Sequence, residues 1–408
     1  NMPALSRVGT SFFLNKPGGG SGAAAGEAIF HADKGSQSTT WDATTSYTWT
    51  VPDGVTEISI VTVGGGAGGV AQHDGASGCA GALAYKNQLA VVPGTTIGVE
   101  VGGGGGTAGW GNWGKRGDPS LITYNGLNIC KAGGGNANVG QGLGNGLINN
   151  DAYGVPGGDG ASAFDGGGKG GRGQQWSGSR QGGGGTGGYA DVPNNNGGDA
   201  AGGDAGNPSY AGNWPTNGLL GGGGGASSAN GSSSYYGNGG GGTGVYGRGS
   251  NGIRGDNNQN QNPDSQSDWA GGGGSYDPWT TETSGLTPNS GYVHNTGLAG
   301  YSSNSDWATF HTHDQQSLGN DYRRDQEDGS GNQNQGQTRP DGGFPGGGGG
   351  GGHSGSPCGF GGHGMVRIVW GTINGLPRRF PTQGVNKTDQ YPGHSDAVIQ
   401  VHGRQMMY

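Results

Sequence analysis

The segment His311–Asp314, with the sequence HTHD, contains residue types that bind metals. His311 and His313 are two positions apart, so an extended chain points both imidazoles to the same face. In a trimer, three such pairs could surround a metal ion. An exposed polar loop explains the same residues more simply. We therefore predict no metal and no cofactor, and keep His311 and His313 as a weak candidate site.

Other spacings give no support for catalysis. Serine is abundant, but no G-x-S-x-G motif lies between a strand and a helix. The run Gly102–Gly106 lacks the GK[ST] sequence and the following helix of a phosphate loop. We therefore predict that the protein is not an enzyme.

The three cysteines, Cys79, Cys130 and Cys358, are widely spaced and form no CxxC pair. This spacing argues against a zinc site and against thioredoxin-like chemistry. Two interpretations remain, namely three buried small residues, or one disulfide with a free thiol.

Two long polar segments, 250–270 and 275–341, are the best candidates for binding. Asn, Asp, Gln and Ser offer directional hydrogen bonds, and Trp and Tyr add flat amphipathic faces that suit a sugar or an outer-membrane loop. The candidate receptor-binding residues are Trp269, Tyr276, Trp279, Tyr292, Tyr301 and Trp307. The same aromatic residues could instead fill gaps between glycine layers or seal a subunit interface.

Composition limits the fold that can present these residues. Glycine accounts for 106 of 408 residues and hydrophobic residues for 28%, so an apolar core cannot hold the whole chain. Charged residues are only 12%, and ten Trp and fifteen Tyr are unusual in a linker, so disorder is not favoured. Collagen is excluded because glycine has no three-residue period.

Charge and hydropathy also exclude partners. The net charge is −8 with no long basic run, which argues against nucleic acid. No apolar stretch is long enough for a transmembrane helix, and the N-terminus is a poor signal peptide. Asn1 before Met2 indicates a processed N-terminus or a piece of a longer product.

Alternating and β-branched segments predict about six short strands before residue 133. They are Thr45 to Val51, Glu57 to Val63, Gly81 to Val92 (one strand or a hairpin), Thr96 to Val101, Ser120 to Tyr124 and Leu127 to Ala132. Asn125-Gly126 between the last two is a strong hairpin signal. Met365 to Trp370 is a further strand, and Ala397 to Val401 is a candidate.

Glycine clusters then recur from 133 to 364, and seven glycines run from 346 to 352. Polyproline II helices have no internal hydrogen bonds, so glycine allows neighbouring helices to approach and bond to one another. A flexible linker is the alternative. The predicted fold is all-β, a small antiparallel β-sandwich or sheet with a large glycine-rich insert forming a polyglycine II helix bundle and essentially no α-helix.

The predicted organisation has five parts. Residues 1–44 are an attachment arm or edge strand, 45–132 the antiparallel β unit, 133–364 the glycine-rich insert, 365–371 the closing strand and 372–408 a polar tail.

The segment YTWTVPDGVTEISIVTVGGGAGG, Tyr47 to Gly69, resembles the opening of the glycine-rich domain of tailed-phage virion and tail proteins. The resemblance continues at Gly81 to Gly106, at Gly117 to Gly135 and at the closing Gly364 to Gly371. The tail RRFPTQGVN is similar to the end of structural proteins from phages of marine cyanobacteria. The design is also similar to phage tip adhesins that stack polyglycine-type helices, although the non-glycine segments here are much longer.

This resemblance implies a virion structural protein on the particle surface, a tail fibre, adhesin or capsid appendage for host attachment. Its expected partners are other virion proteins, copies of itself such as a trimer, and a host-surface glycan or outer-membrane protein. No nucleic acid or membrane insertion is expected. A self-assembling extracellular filament or a surface- or ice-binding protein of cellular origin is the alternative, and a polysaccharide depolymerase ranks third.

Overall fold

The computed structural model describes residues 24–32, 44–69, 77–106, 115–136, 156–157, 164–173, 182–189, 221, 239–248, 342–343, 345–351, 359–385 and 398–402. Across these ranges the chain has strands and no helix, which confirms the predicted all-β class. The strands are β1 (Gly26–His31), β2 (Thr45–Thr50), β3 (Glu57–Val63), β4 (Leu83–Ala90), β5 (Thr96–Val101), β6 (Ser120–Tyr124), β7 (Leu127–Ala132), β8 (Pro156–Gly157), β9 (Gly166–Gly168), β10 (Met365–Trp370), β11 (Thr372–Ile373), β12 (Leu376–Pro377) and β13 (Val398–His402).

The strands form two main sheets. The first sheet has the order β13-β1-β10-β3-β4-β9, and the second has the order β2-β5-β6-β7-β8. Strands β11 and β12 form a separate small hairpin. Neighbouring strands are antiparallel except β1 and β13, which are parallel. The topology is therefore predominantly antiparallel, as the alternating sequence pattern predicts.

The two sheets enclose a common apolar core, as in a β-sandwich. In β5 and β6 one face is buried and the other is partly exposed, because side chains alternate along a strand. The rings of Trp49 from the second sheet and Trp370 from the first lie 5.5 Å apart across this core. The core residues come from both sheets and include Ile60, Ile97 and Ile368.

The first sheet is buried on its outer face as well. Every residue of β1 and β10 is buried, including the charged Glu27 and Arg367. A second apolar cluster covers this outer face, where the rings of Tyr85, Tyr189 and Phe380 pack together at centroid distances of 6.0 to 6.3 Å. Segments far apart in sequence thus close the sheet from outside.

Each strand region predicted before residue 133 contains a strand. Gly81 to Val92, which was left open between one strand and a hairpin, holds the single strand β4. A bulge places Asn87 and Gln88 opposite Ser59, and Gln88 has a φ of 52°. Asn125 and Gly126 both have positive φ, as a type I′ hairpin requires.

Three strands of the first sheet, β1, β9 and β13, lie outside the predicted β unit of residues 45–132 and its closing strand, and β9 belongs to the predicted glycine-rich insert. Strand β1 belongs to the region expected to be an attachment arm or an edge strand, and it lies between β13 and β10 rather than at an edge. Strand β13 belongs to the predicted tail and overlaps the candidate Ala397 to Val401. The sheet thus draws on both end regions of the sequence.

Strands of both sheets continue into glycine segments at one end of the sandwich. Gly64 follows β3, Gly102 follows β5, Gly133 follows β7, and Gly364 precedes β10. Buried Ser120 joins the sheets at this end, since its Oγ donates to the Val63 carbonyl at 2.6 Å and accepts from the Gly102 amide at 2.9 Å. The sandwich therefore sets where the glycine segments begin.

Candidate functional site: the glycine bundle and a buried ion cluster

The segment Gly64–Gly69 donates backbone hydrogen bonds with a period of three residues. The amides of residues 64 and 67 donate to the segment 77–82, those of 65 and 68 to 115–118, and those of 66 and 69 to 359–362, at 2.8 to 3.0 Å. Partner numbers fall by three as donor numbers rise by three, so all three acceptor segments run antiparallel to it. A chain with three residues per turn, as in polyproline II, presents its amides in this way.

Three further segments donate to the carbonyls of Gly64–Gly69. The amide of Gly105 donates to Gly66 at 2.7 Å, that of Gly135 to Gly65 at 2.8 Å, and that of Gly349 to Ala67 at 2.9 Å. The segment is thus hydrogen-bonded to six neighbours and occupies the centre of the arrangement.

The same three-residue step recurs between other segments. Residues 359 and 362 donate to 350 and 347, residues 240 and 243 to 348 and 345, and residues 184 and 187 to 78 and 81. We call these segments the glycine bundle, comprising residues 64–69, 77–82, 102–106, 115–118, 133–136, 169–173, 182–188, 239–244, 345–351 and 359–364. This hydrogen-bond pattern is the one expected between polyglycine II helices. Much of the insert 133–364, for which such a bundle was predicted, lies outside the described residues.

Close backbone approach explains why the bundle is made of glycine. A Cβ on Gly66 would lie 2.0 Å from the carbonyl oxygen of Gly347, and one on Gly361 would lie 1.9 Å from that of Gly66. Both distances are far below contact between a Cβ and an oxygen atom. The glycines make room for the hydrogen bonds of neighbouring chains.

A few side chains also contribute hydrogen bonds inside the bundle. The Oγ1 of Thr186 donates to the Pro345 carbonyl at 2.8 Å. The Nδ1 of His363 accepts from the Gly104 amide at 2.9 Å, in the role that a carbonyl has elsewhere. Burial lowers the pKa of His363 to about 4, so this imidazole is neutral near pH 7 and can accept the bond.

A buried ion cluster lies on the outer face of the first sheet. Oε2 of Glu27 on β1 accepts from Nη2 of Arg367 at 2.5 Å and from Nη2 of Arg378 at 3.3 Å. Burial alone would raise the pKa of Glu27, but the two guanidinium groups outweigh it and hold that pKa below its usual value. The carboxylate is therefore ionised at neutral pH.

The cluster joins distant parts of the sequence. Arg367 Nη1 donates to the carbonyls of Val245 and Val385, and its guanidinium lies 4.0 Å from the Tyr246 ring centroid. Arg378 donates to the Gly26 carbonyl at 2.6 Å. This cluster was not predicted from the sequence. The sequence feature that could have indicated it is an arginine inside the apolar strand MVRIVW. This arginine lies on the same face as buried Met365 and Val369, and a buried charge needs a partner.

Two of the three cysteines are described, and both are buried free thiols. Burial raises the pKa of Cys130 to about 12, and its Sγ lies 3.5 Å from Thr62 Oγ1. Cys79 Sγ accepts from the Gly173 amide at 3.3 Å. These two cysteines fit the interpretation as buried small residues, and Cys358 lies outside the described residues.

The predicted receptor-binding residues Trp269, Tyr276, Trp279, Tyr292, Tyr301 and Trp307 all lie outside the described residues, as do His311 and His313. In the part of the chain that is described, no group of three or more His, Cys, Asp or Glu side chains could hold a metal ion. That same part contains no helix with the length and hydropathy to span a membrane.

Comparison of the sequence with protein-family models gives no match, and comparison with curated proteins gives none. The bundle, the sandwich and the sequence are therefore the features from which a function can be inferred.

Gly66→Ala should destabilise the protein, because the new Cβ would collide with the Gly347 carbonyl. We expect a loss of about 1–3 kcal/mol or more in the free energy of unfolding, measured by urea denaturation. Gly98→Ala is the matched control, since its Cβ would meet only Thr123 at 3.5 Å or more and its backbone is unstrained. The control should be neutral or slightly stabilising. Equal effects of the two changes would contradict a close-packed bundle.

Stability should fall as the pH drops from about 6.5 to about 4. His31 is buried and His363 is half-buried, and loss of hydration lowers the pKa of each from 6.5 to about 4. The unfolded chain therefore binds protons in this window that the folded chain does not, so the free energy of unfolding decreases as pH falls. The loss could reach about 3 kcal/mol per histidine.

Urea denaturation across this window measures the slope. His31→Gln should make the slope shallower, whatever its effect on stability at pH 7. An unchanged slope would show that His31 is not buried in its neutral form. Below its usual pKa of 4.5, Glu27 should add a further loss, because its lowered pKa stabilises the fold only while the carboxylate is ionised.

Proposed function

We propose that the protein is a non-enzymatic structural protein of a tailed-phage virion, a fibre, adhesin or capsid-decorating appendage. It is exposed on the surface of the extracellular particle and displays polar and aromatic loops for host attachment. Its partners are other virion proteins, copies of itself, and a host-surface glycan or outer-membrane protein. The proposal includes no bound nucleic acid and no membrane insertion.

The observation that carries the proposal is the glycine bundle growing from one end of a sandwich. Gly64 is at the sheet and Gly69 is five residues away, about 15 Å at the rise of polyproline II. The bundle thus extends the chain away from the sheets without an apolar core of its own, which suits a protein that holds loops away from a particle.

The ends of the bundle segments support display. The described residues on either side of four connections lie at the far end of the bundle, namely 69 and 77, 106 and 115, 173 and 182, and 351 and 359. Four connecting sequences thus start and finish at the same end of the bundle, opposite the sandwich. Connections on a rigid support are the usual place for variable binding residues. The segments 250–270 and 275–341 are not among these four, and the amide of Arg248 before them donates to the Pro381 carbonyl at 2.8 Å.

The proposal extends the bundle through the glycine clusters of residues 133–364. The polar segments 250–270 and 275–341 then present Trp269, Tyr276, Trp279, Tyr292, Tyr301 and Trp307 to the host. Resemblance of Tyr47 to Gly69 and of the closing strand to phage glycine-rich domains supports this assignment.

A cellular filament or a surface- or ice-binding protein is the second candidate. It is favoured by the same observation, because backbone hydrogen bonding between glycine segments could continue from one molecule to the next. The two candidates differ in whether the protein recognises a cell surface.

Labelled full-length protein should bind marine cyanobacterial cells saturably. A variant with Trp269, Trp279 and Trp307 changed to Ala should bind at least about tenfold more weakly, because these rings supply contact area. A variant with Trp214, Tyr235 and Tyr236 changed to Ala is the matched control and should bind normally. Affinity is measured by flow cytometry with a concentration series.

Filament formation without cell binding would contradict the phage proposal and favour the cellular alternative. Equal losses in the two variants would contradict the assignment of the binding residues, while binding to cells would still support an attachment role.

A further inference from the structure

Strand β1 fills a slot between two strands of the first sheet. It pairs antiparallel with β10, where Gly26 is opposite Trp370 and His31 opposite Met365, and it pairs parallel with β13. All six of its residues are buried. Both edges of β1 are therefore used.

The slot recognises the sequence of β1 at three positions. A Cβ on Gly26 would lie 2.3 Å from the Trp370 indole, so this position requires glycine. Glu27 receives hydrogen bonds from two buried arginines. The ring of Phe30 packs at 5.5 Å from that of Tyr47 in the second sheet. An unrelated strand would satisfy few of these contacts.

The slot cannot remain empty in the folded protein. Without β1, Arg367 and Arg378 would lose their shared carboxylate while buried, which is strongly unfavourable. Ala28 and Phe30 would leave the core between the sheets, and Ile29 would leave the outer cluster. Some copy of β1 must therefore occupy the slot.

The chain connections of β1 differ from those of β3, β4 and β10. The ends of β3, β4 and β10 nearest the bundle run directly into hydrogen-bonded glycine segments, which hold these strands in their own molecule. Strand β1 precedes the whole β unit, and residues 32–44 link it to β2. Thirteen residues can span at most about 45 Å, so the link is long enough for β1 to enter a neighbouring molecule.

We propose that the slot between β10 and β13 is a docking site for β1 of a second copy of this chain. Exchange of an identical element between copies is a common route to oligomers, and strand addition supplies affinity through main-chain hydrogen bonds. Each copy then donates one strand and accepts one. The inference rests on the self-association in the proposed function and specifies the contact that mediates it.

Disulfide trapping in the full-length protein tests the exchange. The three native cysteines are changed to Ala, and two chains with different tags are co-expressed, one with Ala28→Cys and one with Ile368→Cys. These positions are opposite each other in the pairing of β1 with β10, within the range that a disulfide spans. Oxidation should give a covalent species carrying both tags.

The matched control joins two strands that both run into the bundle. Co-expressed Ile60→Cys and Ile368→Cys chains, also directly paired, should give no species with both tags. A two-tag product no greater than in this control would overturn the proposal, as would closure confined to single chains in the Ala28→Cys, Ile368→Cys double variant. Sedimentation velocity distinguishes failure of strand exchange from failure of self-association. An oligomer without the two-tag product would overturn strand exchange and leave self-association in place.

Discussion

The fold depends on pairing backbone amides where side chains are too small to form a core. Buried amides and carbonyls that lack a partner are costly, and the bundle satisfies them by rotating successive amides of Gly64–Gly69 to three neighbouring segments. That rotation brings backbones so close that a Cβ at Gly66 or Gly361 would meet a carbonyl oxygen at about 2 Å. The high glycine content and the hydrogen-bond pattern therefore have the same cause, which is the close approach of backbones that pairs their amides and carbonyls.

The sandwich supplies what the bundle lacks, which is a fixed starting register. A glycine chain has no side chains to define its alignment with its neighbours, and it loses much conformational entropy on ordering. The apolar faces of the strands fix their alignment through packing, and Ser120 ties the ends of both sheets where the bundle begins. The Glu27 cluster connects residues far apart in sequence. It joins β1 to β10 and holds the segment around Arg378 against the outer face of the first sheet.

Much of this arrangement could be predicted from sequence, because local patterns determine it. Alternation predicted strands β2 to β7, and Asn125-Gly126 predicted the hairpin between β6 and β7. The glycine runs predicted close backbone packing. The place of β1 inside the first sheet was not predicted because it pairs with β10, more than 300 positions away, and GEAIFH has too short a pattern. The carboxylate partner of Arg367 was unpredictable for the same reason, since Glu27 is 340 positions away. The predicted receptor-binding residues lie outside the described part, so they remain predictions.

Amide hydrogen exchange of the assembled protein tests the central claim most directly, because it reports whether glycine amides are paired. The account predicts that Gly64–Gly69 and the glycine clusters between Gly133 and Gly364 exchange nearly as slowly as β3 and β10, with fast exchange in 250–270 and 275–341. Fast exchange throughout the glycine clusters, with slow exchange confined to the sandwich, would contradict it. The clusters would then be tethers, and the rigid support for displayed loops would have to be abandoned.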